Sequence, residues 1–144
     1  MNNLLTADKI MMNAKASSKE EAIRLAGELL VRGGHVSPAY VDKMQEREQL
    51  ATTYIGSGVA IPHGTNESKQ EIQSTGISIV QVPDGVDFGE GNVAYLLIGI
   101  AAVGDEHLEV LSNIAVICSE EENVTRAVQA KTPEEIIALF AEGM

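Results

Sequence analysis

The chain has 144 residues, with 10 Lys+Arg against 21 Asp+Glu and a formal net charge of −11. That length suits one domain with a core of its own, and 44% hydrophobic against 22% charged residues is a globular composition, not a disordered one. The excess of acid argues against nucleic acid and disfavours anionic membranes as partners, because both select basic faces; it favours a partner with a basic surface.

Aromatic residues are 3% of the chain and Trp is absent, so the core must be aliphatic. A lone cysteine, Cys118, excludes an intramolecular disulfide framework and any multi-cysteine zinc site. No cationic start followed by a long apolar stretch opens the chain. The longest nearly apolar run, 93–104, is too short to span a bilayer. The expectation is a cytoplasmic protein with no membrane insertion.

In chain order, Ser18 with Glu21 three residues later is a capping-box pattern. Ala22, Ile23, Leu25, Ala26, Leu29 and Leu30 then form a helical stripe that Gly33-Gly34 stops. Ser37-Pro38 reads as an N-cap followed by proline at the first helical position, opening a polar helix to about Leu50. Residues 54–61 are β-branched and broken by glycines, with Pro62 closing the run. Residues 76–82 alternate as a strand, with Pro83-Asp84-Gly85 read as a turn. The apolar run 93–103 suggests a central strand covered on both faces.

The last third returns to helices. Asp105 is a plausible N-cap for a helix whose apolar positions include Leu108, Leu111, Ile114, Ala115 and Cys118. Ser119 can cap the next, and Thr132-Pro133-Glu134-Glu135 is a capping box before the final helix. Helices at both ends around several strands give one α/β domain over 1–144, a sandwich of a mixed sheet flanked by helices.

Three histidines are the candidates for chemistry. His63 sits in Ile61-Pro62-His63-Gly64-Thr65, just after a strand-like run. Proline fixes the approach and glycine admits another molecule, so the ring is expected at a strand end, exposed and not packed; a turn histidine without a role has about equal weight. His107 lies in the first turn of a helix, with apolar Val110, Leu111 and Ile114 on its face. A helix N-terminus disfavours imidazolium and welcomes an anion, though a core-edge histidine explains the pattern as simply. His35 follows Gly33-Gly34 and is expected to satisfy helix-end carbonyls. Their separations of 28 and 44 residues give no zinc motif. Arg47, in Glu46-Arg47-Glu48, is either a solvated surface residue or a guanidinium aimed at a phosphoryl group.

Taken together, Glu46-Arg47-Glu48, Thr53-Tyr54-Ile55-Gly56, the run from Val59 to Thr65, Val82-Pro83-Asp84-Gly85-Val86, and Gly99-Ile100-Ala101-Ala102 with Glu106-His107-Leu108 resemble one family. It is the enzyme IIA components of the mannitol branch of the sugar phosphotransferase system. The resemblance runs over nearly the whole chain. It implies an α/β sandwich in which His63 takes a phosphoryl group from the phosphocarrier protein HPr on Nε2 and passes it to a sugar-specific IIB unit. It implies that His107 is the second, unphosphorylated histidine and that Arg47 lies by the same pocket, both steadying the phosphoryl group. No cofactor and no metal is implied. Some members are fused to IIC and IIB parts; this chain resembles the free-standing form, with IIB on a separate polypeptide.

Ser57 stands where some members carry an acid. If that acid orients the histidine, this chain must do it otherwise, for instance through a backbone carbonyl, and the Nδ1 partner of His63 is left open. Within the same superfamily, a fructose-type or nitrogen-regulatory paralogue acting as a phosphorylation-state signal is the alternative. A metal-binding or hydrolytic protein would rest on the scattered histidines alone.

Overall fold

The computed structural model describes residues 4–104 and 106–143, without the side chains of residues 66, 67 and 141–143. A short strand β1 (Ile10–Met11) leads to helices α1 (Lys19–Arg32) and α2 (Ala39–Leu50). Strands β2 (Tyr54–Gly56), β3 (Val59–Ala60), β4 (Gly76–Gly89) and β5 (Asn92–Ala101) follow, then helices α3 (Glu106–Cys118), α4 (Glu121–Gln129) and α5 (Pro133–Gly143). The strands form one mixed sheet in the order β1-β4-β5-β3-β2. This is the expected α/β sandwich.

Alternation along the strands feeds two cores, since successive side chains leave opposite faces of a sheet. Ile77, Ile79, Leu96, Ile98 and Ile100 pack against α3, α4 and α5, where Ile114, Ala127 and Ile136 are buried. Val80, Val82, Leu97 and Ala101 pack against α1 and α2, where Ile23, Leu30 and Met44 are buried. β5 is the middle strand, and residues 96, 97, 98, 100 and 101 are buried completely, as its unbroken apolar run required.

Several local expectations hold and several are corrected. Ser18 caps α1, its hydroxyl accepting the Glu21 N–H at 3.2 Å, and the Thr132 hydroxyl accepts the Glu135 N–H at 3.3 Å beside α5. Ser37 does not cap α2: its hydroxyl bonds Glu71, and Pro38 takes the cap position. Ser119 likewise turns back to the Val116 carbonyl, leaving Glu120 ahead of α4. The cap expected at Asp105 lies outside the described residues.

Pro83-Asp84-Gly85 is not a chain reversal. β4 runs through it, with the register against β5 slipping between Gln81 and Val86, so the segment is a bulge. The reversal comes at Glu90-Gly91, both with positive φ (54° and 82°), which matches the twist of a two-residue hairpin loop. In α3 the buried stripe is Val110, Ile114, Ile117 and Cys118, a clean helical spacing. Leu108 and Ala115, expected inside, lie on the other face, Leu108 being 73% exposed.

Candidate active site

β3 and β5 are parallel neighbours, Val59 opposite Leu96 and Ala60 opposite Leu97. Their C-terminal ends therefore open on the same edge of the sheet, the edge where parallel-strand folds present ligand sites. The pairing extends beyond β3: His63 forms a parallel bridge with Ile100, and the Ile100 N–H donates to the Pro62 carbonyl at 2.9 Å. His107 stands in the first turn of α3, shortly after β5 ends. Adjacent parallel strands thus deliver two histidines distant in sequence to one place, with ring centroids 5.2 Å apart and planes inclined by 59°.

His63 is 8% exposed, which corrects the expectation of an exposed ring. Its Nδ1 bonds the Ile61 carbonyl at 2.8 Å. A carbonyl can only accept, so Nδ1 carries the hydrogen and Nε2 keeps its lone pair. The Nδ1 partner left open by Ser57 is therefore a backbone oxygen two residues upstream. Burial holds His63 below the ordinary imidazole range; His107 and the Arg47 charge push the same way, while the Ile61 carbonyl and Glu48 oppose. His107 is also lowered, by burial first and then by Lys69 and Arg47. Both rings are thus neutral near pH 7.

Arg47 enters the site from the last turn of α2. It shares a hollow of about 430 Å³ with Glu46, Leu50, Ala51, His63, Gly64 and Thr65. Its Nη1 donates to the Ala51 carbonyl at 2.6 Å, which anchors one arm of the fork and leaves the other nitrogen donors for an anion. Of its two sequence readings, the structure brings Arg47 to the hollow. His35 is elsewhere. Its ring accepts from Lys9 Nζ at 2.6 Å and bonds the Ser74 hydroxyl at 2.8 Å, so it seats a buried lysine and does not cap α1. The helix-end carbonyl of Leu30 is met by the His35 backbone N–H instead.

Residues that sequence reasoning passed over complete the surroundings. The Tyr40 hydroxyl accepts the Gly64 N–H and donates to the Ile100 carbonyl, both at 2.8 Å, tying the His63 loop to β5. Gly64 must lack a side chain because a Cβ there would lie 2.5 Å from the Tyr40 ring and from the Ser68 hydroxyl. Glu48 is 5% exposed, and one of its oxygens accepts both the N–H and the hydroxyl of Thr53. The signal was present as Tyr40, Met44 and Glu48 at intervals of four, one buried face of α2. Their polar company hid it. The Thr65 hydroxyl is buried without a hydrogen-bond partner among the described residues.

Among the described residues, no three His, Cys, Asp or Glu side chains are grouped as metal ligands, and no helix is long and apolar enough to cross a membrane. What the arrangement can do is clear from its parts. A neutral nucleophilic nitrogen with a fixed tautomer shares a hollow with an arginine fork, beside a second neutral imidazole at a helix N-terminus, which favours anions.

Comparison with known proteins points the same way. The family model described as phosphoenolpyruvate-dependent sugar phosphotransferase system, EIIA 2, matches residues 3–143. The mannitol-specific phosphotransferase enzyme IIA component of Geobacillus stearothermophilus is 53% identical over 139 residues, covering 96% of each chain. That of Bacillus subtilis (strain 168) is 52% identical over 139 residues, covering 96% of this chain and 97% of the relative. Among solved structures, enzyme IIAMTL in its complex with phosphorylated enzyme IIBMTL from Escherichia coli aligns with a TM-score of 0.91 and 42% identity, over 96% of this chain and 97% of the other. Matched along almost its entire length in both sequence and fold, the chain belongs to the EIIA 2 family of the phosphoenolpyruvate-dependent sugar phosphotransferase system.

Proposed function

We propose that His63 is the phosphoryl carrier of a mannitol-specific IIA component in the cytoplasm, taking the group from phosphorylated HPr and giving it to IIB. The observation that carries this reading is the hydrogen bond from His63 Nδ1 to the Ile61 carbonyl, which leaves Nε2 as the nucleophile. The phosphorus–carrier bond of the donor breaks as the bond from phosphorus to Nε2 forms, and the reverse happens at IIB. The ring gains positive charge as Nε2 attacks, and the Ile61 carbonyl on Nδ1–H stabilises it. Phosphoryl transfer between two protein carriers is mainly positioning and charge stabilisation. Arg47, His107 and the N-terminal turn of α3 supply the latter, so no cofactor or metal enters the proposal.

Support for the partners comes from chemistry and from relatives. The E. coli relative is solved with phosphorylated IIB. Leu50 and Leu108 are each 73% exposed and Val103 is also exposed, close in sequence to Arg47 and His107. They suit brief docking, where an apolar centre is ringed by polar residues. A net charge of −11 suits attraction to a basic face on a phosphocarrier. The test is labelled phosphoryl transfer from HPr, then addition of mannitol IIB. Label that stays on the protein, with IIB unmodified, would favour the signalling alternative over sugar uptake.

A further inference from the structure

Glu48 is buried where helix stability does not favour an acid, with an ion pair to Lys19 as partial compensation. It stands in the last turn of α2, where the helix dipole disfavours an acid, and burying a carboxylate is costly unless its bonds repay it. Lys19 Nζ pairs with Oε2 at 3.6 Å, beyond hydrogen-bond range, and Oε2 has no hydrogen-bond partner among the described residues. All of its hydrogen bonding is on Oε1, which accepts the Thr53 N–H at 2.8 Å and the Thr53 hydroxyl at 2.7 Å.

Thr53 is the first link of a short relay. Its carbonyl accepts the Ile61 N–H at 3.0 Å, and the Ile61 carbonyl accepts Nδ1–H of His63 at 2.8 Å. Two turns earlier on the same face of α2, Tyr40 holds the Gly64 N–H on the other side of His63. His63 is therefore flanked by the Gly64 N–H, which Tyr40 holds directly, and by the Ile61 carbonyl, which Glu48 reaches only through the backbone of Thr53 and Ile61.

We propose that Glu48 is a positioning residue for His63, acting through Thr53 and the Ile61 peptide to keep the ring as the Nδ1–H tautomer with Nε2 free. This rests on the reading of His63 as the phosphoryl carrier. Removing the carboxylate frees Thr53, lets the Ile61 carbonyl turn, and allows the Nε2–H tautomer, which has no lone pair on Nε2 to attack phosphorus. An amide in its place keeps an oxygen for both Thr53 donors, so Glu48→Gln retains the relay and Glu48→Ala breaks it.

Two measurements on the same variants test this: long-range ¹H–¹⁵N spectra of the histidine rings without phosphate, and the rate of label uptake from phosphorylated HPr. Glu48→Gln keeps the wild-type ring pattern and a rate within about threefold, whereas Glu48→Ala averages the two His63 nitrogen signals and slows uptake at least about tenfold. Should Glu48→Ala fail to fold, Thr53→Val removes one of the two bonds and shifts the ring signals in the same direction by less. Unchanged ring signals in a folded Glu48→Ala or in Thr53→Val, or an unchanged uptake rate in Glu48→Ala, would overturn the proposal. A wild-type protein that takes no label on His63 would instead overturn the functional reading, and the ring spectra would still decide what Glu48 does.

Discussion

The imidazole rings of His63 and His107 have centroids 5.2 Å apart, although the two lie 44 positions apart in the sequence and belong to different elements. Parallel pairing of β3 with β5 makes the meeting unavoidable, because both strands end on one edge. Only His63 has Nδ1 tied to a backbone carbonyl and a ring inside the hollow with Arg47. The two rings should therefore behave differently when replaced. His63→Ala takes no label from phosphorylated HPr, whereas His107→Ala still accepts it but about a hundredfold more slowly. Initial-rate labelling of both variants checks this, and equal losses would contradict the division of labour.

Among the described residues, Arg47 is the only guanidinium lining the hollow, and its geometry depends on a fork. Lysine restores the charge but cannot hold the Ala51 carbonyl and an anion with separate nitrogens in a fixed plane. Arg47→Lys is expected to slow transfer by about tenfold, equivalent to ~1.4 kcal/mol of transition-state stabilisation. Circular dichroism should show an unchanged fold. A rate equal to wild type would mean that charge alone matters.

The three histidines share a direction of shift with pH consequences. His35, His63 and His107 are all lowered from 6.5, in each case by burial first. The unfolded chain therefore binds more protons than the folded one once the pH falls below about 6.5. Their contribution to stability is complete above that pH and is lost as the pH falls through the lowered values. For transfer, Nε2 of His63 stays unprotonated through neutrality. Ring-proton titration should place all three midpoints below 6.5, and a His63 midpoint at or above that value would contradict the burial argument.

Gly64 is a sensitive position for a packing reason. A methyl group there would sit 2.5 Å from Tyr40, which is itself held between Gly64 and Ile100. Gly64→Ala should destabilise the protein by about 1–3 kcal/mol, the usual cost of overpacking, and should slow labelling of His63. Urea melts joined to the labelling assay test both effects; full activity at wild-type stability would show that the Tyr40 contact does not constrain the loop.

Cys118 is not a reactive thiol in this fold. It is 5% exposed on the buried stripe of α3, and burial pushes its pKa up to about 11. Reaction depends on thiolate, so a thiol reagent at pH 7.5 should modify the native protein far more slowly than the protein in denaturant. Rapid stoichiometric labelling under native conditions would contradict this.

How much of this was legible in the sequence depends on whether local pattern or long-range pairing decided the outcome. The β5 run and the α1 stripe with its Ser18 cap were readable because periodicity and capping act within one element. Burial of His63 was not, since the ring is placed beside β5 and His107, neither adjacent in sequence. The Lys9–His35 contact joins positions 26 residues apart, so the helix-end reading of His35 had no means of finding it. Pro83-Asp84-Gly85 has the composition of a turn, yet pairing on both sides holds it in β4 as a bulge. Ser37 and Ser119 have the right residue type for caps and spend their hydroxyls on other partners.

The central claim is that phosphoryl transfer runs through one nitrogen of one histidine. Its most direct test is to load the uniformly ¹⁵N-labelled protein from phosphorylated HPr and to locate the phosphorus by phosphorus–nitrogen coupling in the histidine rings. The account predicts a single phosphohistidine at His63, bonded through Nε2, with the Nδ1–H still present. Phosphate on Nδ1 of His63, on His107 or on His35, or no phosphohistidine at all, would contradict it.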